Sequence, residues 1–190
     1  MLNKILSVTK EKLNAINFDK YHNSFNADGY PNSWFFMEAG QEHYRLLAYI
    51  GSLFKNKVLL DIGTYHGNSA IALANNKSNS IISYDIEAQP IVNKLKFDNI
   101  AFQIGNFLEL SHADTILKFP FIMLDTYHNG DFEQEFVNYL HEMKYKGLVM
   151  FDDIYLNYEM RKFWEGIKDE KYDLTELGHF SGTGLVIFKG

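Results

Sequence analysis

The stretch from Val58 to Ser69, VLLDIGTYHGNS, constrains this chain more than any other. Val58, Leu59, Leu60 and Ile62 surround Asp61 in a short apolar run that reads as a buried strand. Gly63 and Gly67 then turn the chain into a predicted helix, SAIALANN. Glycines there let backbone approach a ligand with no Cβ in the way, and the free N–H groups at the helix start favour an anionic group. The stretch therefore reads as a nucleotide-type site at the end of a strand. A purely structural strand-to-helix turn is the alternative that it leaves open on its own.

Beyond this helix the same unit recurs. NSIISYDIE is a second apolar run ending on Asp85 and Glu87, and Asp85 lies 22 residues beyond Gly63. An acidic side chain at the end of a second parallel strand can accept hydrogen bonds from a ribose diol, although Asp85 could instead cap the next helix. A third run, NIAFQIGN, ends on Gly105 and Asn106; FPFIMLD and GLVMFDD come next, with a helical segment from Asp131 to Lys144 between them. Strands alternating with helices at this spacing predict a doubly wound parallel sheet. After a helix over Tyr158 to Ile167, YDLTELGHF and GTGLVIFKG flank Ser181-Gly182-Thr183-Gly184 and predict a hairpin that brings an antiparallel strand to the sheet edge. The expected fold is α/β: a Rossmann-like, doubly wound, mostly parallel seven-stranded sheet with an antiparallel C-terminal hairpin strand and an N-terminal helical cap.

That cap is read from residues 1 to 56, the core from 57 to 190, and the whole chain as a single domain. Leu2, Ile5, Leu6, Leu13 and Ile16 stand at helical spacing over the first 17 residues. Trp34, Phe35, Phe36 and Met37 lie in an aromatic loop and are expected to pack on the domain rather than wall a pocket. A helix from Gln41 to Phe54 with Tyr44, Leu47 and Ile50 on one face leads into the strand at Val58.

The charge balance excludes one class of partner. With 24 acidic against 18 basic residues, a net charge of −6 and no Lys/Arg run longer than two, the chain is poorly suited to nucleic acid. The absence of cysteine excludes disulfides and thiolate metal sites. No apolar run approaches a membrane span and the N-terminus does not read as a signal peptide, so a cytoplasmic protein without a membrane partner is expected.

Two strand ends carry carboxylates, Asp125 on FPFIMLD and Asp152-Asp153 on GLVMFDD. On neighbouring parallel strands about 4.8 Å apart, three such groups can converge on one cation. Oxygen ligands favour magnesium, while His128 nearby leaves a softer ion open. The bland alternative is that these acids cap a loop and a helix. His128, three residues after Asp125, would face the same mouth, where an imidazole suits proton abstraction from a hydroxyl. His43 and His66 are the next candidates. No GxSxG elbow occurs, the glycine turn lacks a P-loop lysine, and three residues rather than one separate Gly63 from Gly67, which disfavours NAD.

With these motifs in hand, the chain from about Val58 onward resembles class I S-adenosylmethionine-dependent methyltransferases, and among them small-molecule O-methyltransferases of the methyltransferase-24 type. The resemblance rests on DIGTYHGNS, SYD, LDTYH and KGLVMFDDIY, with Arg161-Lys162-Phe163-Trp164 matching the helix after the acids. It implies that Asp61, Gly63 and Gly67, in a loop that also holds Tyr65 and Ser69, surround the amino-acid part of S-adenosylmethionine. It further implies that Asp85 holds the ribose, that Gly105 and Asn106 lie along the adenine, and that Asp125 borders the cofactor. Asp125, Asp152 and Asp153 match the family's magnesium ligands, and His128 stands where the family carries its general base. Lys146-Gly147 replaces the usual glycine pair before the fifth strand. The implied activity is metal-assisted methyl transfer to a hydroxyl of a small molecule; residues 18 to 45, rich in Tyr, Trp, Phe and Asn and outside the resemblance, read as the acceptor walls and suit a sugar-like or a phenolic acceptor equally. Other readings are a non-catalytic S-adenosylmethionine or nucleoside-binding module, an NAD-dependent sugar-modifying enzyme, and methylation of nucleic acid or protein. The sequence leaves open whether the chain forms a homo-oligomer.

Overall fold

Seven strands form one sheet: β1 (Val58–Ile62), β2 (Ser80–Asp85), β3 (Ile100–Ile104), β4 (Phe121–Leu124), β5 (Lys146–Asp152), β6 (Glu170–Asp173) and β7 (Thr183–Lys189). The computed structural model describes residues 1–22, 34–110 and 113–190. The strand order is β3-β2-β1-β4-β5-β7-β6, with the first five parallel and β7 antiparallel to both of its neighbours. The order reverses between β1 and β4, the place where an open α/β sheet leaves a crevice at its carboxyl edge.

Alternation along each strand sends side chains to two cores. Leu59, Met123 and Met150 belong to one, beside the helix Glu38–Ser52, and Leu60, Ile122 and Phe151 belong to the other, beside the helices Asp131–Glu142 and Tyr158–Gly166. Both faces of the central strands are thus covered, which is why β4 is wholly apolar and buried, whereas the edge strand β3 is largely open to solvent. Register then fixes the site: Ile62 pairs with both Tyr84 and Leu124, and Leu124 pairs with Phe151. The next residue on each strand, Gly63, Asp85, Asp125 and Asp152, therefore comes to one edge.

Two expectations change in detail. The N-terminal stretch forms two short helices, Leu2–Leu6 and Lys10–Asn14, because Thr9 is extended and its hydroxyl accepts from the Lys12 N–H to start the second. Ile5, Val8 and Leu13 nevertheless reach the core. The hairpin begins earlier than expected, at Glu170, and Leu174 to Gly182 form a long connection closed by the Leu174 N–H on the Thr183 carbonyl at 2.8 Å. Nor is the reversed strand at the edge. The apolar β7 lies inside the sheet, and the polar, partly exposed EKYD of β6 takes the edge, where charged residues discourage pairing with another chain.

Of the aromatic loop, Phe35 is fully buried and packs its ring 4.2 Å from that of Phe18 and 5.2 Å from that of Tyr44. The proposed acceptor walls fall partly on residues 23–33, which lie outside the described residues, as does the Trp34 side chain. No helix among the described residues is long and apolar enough to cross a membrane.

Candidate active site

A cavity of about 510 Å³ opens at the carboxyl edge of β1, β2 and β4. Its wall includes Gly63 and Tyr65 from the glycine turn, Asp85 from β2, Gly105 and Asn106 after β3, and Asp125, Tyr127 and His128 after β4. Asp85 is oriented by its own backbone surroundings: one carboxylate oxygen accepts from the Tyr65 N–H at 2.7 Å and the other from the Glu87 N–H at 3.1 Å. Gly63 has a φ of +99°, and a Cβ there would run into the carbonyl of Asp125. The missing side chain at Gly63 thus brings the ends of β1 and β4 together beneath the cavity.

Asp61, Gly67 and Ser69 do not reach the cavity wall. Gly67 starts the helix Asn68–Leu73 in a left-handed conformation, and Ser69 is buried in its first turn. Asp61 is fully buried below Gly63, where one oxygen accepts from the Ser83 hydroxyl at 2.6 Å and the Ser83 oxygen lies 2.5 Å from the Thr64 hydroxyl. Its other oxygen, Oδ1, has no hydrogen-bond partner. Burial raises the carboxyl to about 7, against the pull of the Ser83 and Ser69 hydroxyls.

The second part of the site is a cluster of carboxylates and imidazoles. His128 Nε2 lies 3.2 Å from Asp125 Oδ1 and 3.3 Å from Asp153 Oδ2, so the imidazole bridges the ends of β4 and β5. Burial disfavours its cation, but the hydrogen bond to Asp125 and the charges of Asp125, Asp153 and Glu133 outweigh it and hold His128 above the ordinary histidine value. Asp152 and Asp153 are pushed apart. Burial and the charges of Asp125 and Asp153 keep Asp152 well above the carboxylate range. Asp153 is partly buried, yet hydrogen bonds from His179 and Ser181 and the charge of His128 hold it low.

Among the described residues, Asp152, Asp153 and His179 form the group whose ligand atoms all lie within 4.8 Å of one another. Asp125, expected beside the other two acids, stands outside that group and meets His128 instead. His66, the other histidine weighed as a base, stacks on Tyr65 in the glycine turn at a ring distance of 3.8 Å.

Several residues here were not placed by the sequence, which singled out only His43 among them, as a second candidate base. Glu133 is buried and receives the Thr126 hydroxyl, the His128 N–H and the Gly130 N–H, so one carboxylate holds the whole loop that carries His128. Asn157 caps the helix Tyr158–Gly166 through Met160 N–H and donates to the His128 carbonyl at 2.7 Å. His179 arrives from the connection before β7, and Ser181 donates to Asp153 from the same connection. His43 comes from the helix Glu38–Ser52 and is buried beside Asp152. Tyr65, His128 and Asp153 all have left-handed backbones, a strained conformation for such residues and one that clusters at sites of function. Glu133 offers a faint sequence clue, since a Glu three residues after a helix start marks half of a capping box; the approach of His43 and His179 depends on tertiary packing alone.

No protein-family model and no curated protein matches the chain. Solved structures do. The chain is similar to the cofactor-bound Rv0187 from MTB at 16% identity and a TM-score of 0.63, over 99% of this chain and 94% of that one. It is similar to a protein from Klebsiella pneumoniae described as an O-methyltransferase at 17% identity and a TM-score of 0.59, over 100% and 94%. The SAH-bound methyltransferase PaMTH1 of Podospora anserina matches at 16% identity and a TM-score of 0.56, over 77% and 78%. At such identities the likeness establishes the fold, which is the Rossmann-like fold of class I methyltransferases.

Proposed function

We propose that this chain is an S-adenosylmethionine-dependent O-methyltransferase that acts, with the help of a divalent cation, on a hydroxyl of a small sugar-like or phenolic molecule. The observation that carries the reading is the meeting of two features at one sheet edge. A cavity bounded by Gly63, Asp85 and Asn106 opens directly beside an imidazole held between two carboxylates.

The residues fit the cofactor in size and chemistry. The cavity is within the range of ordinary small-ligand sites, and Asp85 presents a carboxylate, braced by two backbone N–H groups, to a ribose diol. The unpartnered Oδ1 of Asp61 lies under Gly63, and once this carboxyl ionises, above about pH 7, its buried charge would favour the ammonium of an amino-acid tail. Gly105 and Asn106 would lie along the base. For the cation, Asp152 and Asp153 are the core of the ligand set, with Asp125 at the same edge, and the unpartnered Oδ1 of buried Asp152 is the atom most in need of one.

When bound, the cofactor supplies an electrophilic methyl group and the cation lowers the pKa of the acceptor hydroxyl. The chain's own work is positional and acid–base. The His128 imidazole would accept the hydroxyl proton, and Asp125 and Asp153 beside its Nε2 would stabilise the imidazolium that results. Glu133 and Asn157 hold the loop and carbonyl of His128, so that the imidazole is aimed before the acceptor arrives. The net negative charge of the chain supports a small molecule over a nucleic acid as acceptor.

Calorimetry with S-adenosylmethionine, followed by assay of S-adenosylhomocysteine release over a panel of polyols and phenols with and without divalent metal, tests the reading. Binding with turnover on any hydroxylated acceptor supports it. Binding without turnover across the panel leaves a cofactor-binding module, and no binding removes the proposal.

A further inference from the structure

Three donor groups, one of them an imidazole, gather at one point of the site, Asp152, Asp153 and His179, and the imidazole of His43 lies behind Asp152. His43 is 2% exposed, and neither of its ring nitrogens has a hydrogen-bond partner. Its Nδ1 points at Asp152 Oδ1, 3.5 Å away, and that oxygen is likewise buried and without a partner. His179 Nδ1 approaches the same oxygen at 3.9 Å and Asp153 Oδ1 at 3.2 Å. The two imidazole rings stand 5.8 Å apart at 60°, so both face the acids from separate elements, the helix Glu38–Ser52 and the connection before β7. A carboxylate oxygen left unpaired in a dry interior is costly, and a cation bound by Asp152 Oδ1 removes that cost.

Spacing distinguishes this from ordinary packing. Ligands held about 2.1 Å from a metal at tetrahedral angles are about 3.4 Å from one another. The separations of His179 Nδ1 from the two acids, 3.2 and 3.9 Å, bracket that value.

We propose that the resident cation of this site is bound by Asp152, Asp153 and His179, and that the imidazole nitrogen selects a late first-row ion such as Co²⁺ or Zn²⁺ over Mg²⁺. The proposal rests on the metal-assisted reading above and changes its ligand set. Imidazole nitrogen is a borderline donor that suits these ions, whereas Mg²⁺ holds to oxygen and water. Asp125 is then freed to pair with His128, which is what their 3.2 Å separation shows. Ser181 hydrogen-bonds to His179 Nδ1 and to Asp153 Oδ1, the atoms a cation would use, so binding requires its hydroxyl to give way there.

The test needs no methyl acceptor. The full-length chain is stripped with a chelator and titrated with Co²⁺ by visible spectroscopy, then with Zn²⁺ and Mg²⁺ by competition and calorimetry. The expected result is binding of Co²⁺ and Zn²⁺ at least about a hundredfold tighter than Mg²⁺, with Co²⁺ absorption typical of mixed nitrogen and oxygen ligation. His179→Ala, on a partly exposed connection, should weaken Co²⁺ by about ten- to a hundredfold and leave Mg²⁺ nearly unchanged. Equal affinity for Mg²⁺ and Co²⁺ in the unaltered chain overturns the proposal without recourse to any variant. So does Co²⁺ binding that depends on Asp125 but is indifferent to His179; that result leaves the methyltransferase reading intact with an all-oxygen site. Conversely, tight Co²⁺ binding through His179 in a chain that does not bind S-adenosylmethionine supports the metal site and removes the function.

Discussion

His128 Nε2 stands 3.2 Å from Asp125 Oδ1, and these residues, three apart in sequence, close the cavity on the side facing the acids of β5. The imidazole is therefore fixed where a hydroxyl would meet it. His128→Ala is expected to reduce kcat by about a hundredfold to ten-thousandfold, the range of a lost general base, with little change in the affinity for S-adenosylmethionine. Stopped-assay rates and calorimetry on the same preparation check this. A rate within a few-fold of the unaltered chain would remove His128 as the base.

The aim of His128 depends on two residues that need not touch substrate. Glu133 accepts the His128 N–H at 3.2 Å and Asn157 donates to the His128 carbonyl at 2.7 Å. Asn157→Ala should cost about 1 kcal/mol in stability through the lost helix cap, and should also lower kcat while KM for the cofactor holds. Asn157→Asp keeps the cap but loses the donor to the carbonyl, so it should recover the stability without the rate. If Asn157→Asp restores both, the contact with His128 has no positioning role.

Asp61 gives the pH prediction. Its carboxyl titrates at about 7 when folded, against an ordinary 3.8, because it is buried. Between those values the folded chain keeps a proton that the unfolded chain has released, so stability falls as pH rises from about 4 to about 7. Above that, the ionised folded form carries a penalty on the order of 4 kcal/mol. Asp61→Asn should therefore gain in Tm relative to the unaltered chain, by a few degrees, as cofactor-free samples are moved from about pH 5 to about pH 8. The same ionisation should favour a cationic ligand, so S-adenosylmethionine affinity should rise through this window in the unaltered chain and stay flat in the variant. A Tm difference that does not vary with pH sinks the assignment.

The parallel strands were readable because most are short apolar runs that end on a residue with chemistry: Gly63, Asp85, Asp125, Asp152. Runs like these announce themselves one at a time, and the sheet only has to set them side by side. The placement of β7 inside the sheet was not readable from a rule about hairpins, since it depends on which of two strands is apolar enough for burial; EKYD against TGLVIFK decides that once they are compared. His128 was legible from its three-residue spacing to Asp125. His43 and His179 were not, because they lie 109 and 27 positions from Asp152 and meet it only through packing of a helix and a connection. Asp61 was legible as an important acid, but its place behind the cavity wall is set by the pleat, which turns it to the covered face.

Two glycines separate backbone need from chance. Gly63 combines a φ of +99° with a position where a Cβ would overlap the Asp125 carbonyl, whereas nothing lies within 4 Å of a Cβ on Gly166 at the end of the helix Tyr158–Gly166. Gly63→Ala must move β4 away from β1 or distort the turn, and either change displaces Asp125 and so His128. It should destabilise the chain by about 2 kcal/mol or more and reduce cofactor affinity with it. Gly166→Ala should be neutral or add up to about 1 kcal/mol by restricting the unfolded chain. Urea denaturation of both variants, read with S-adenosylmethionine calorimetry, makes the comparison. Equal effects at the two positions would mean that the close approach of β1 and β4 at Gly63 does not constrain the site.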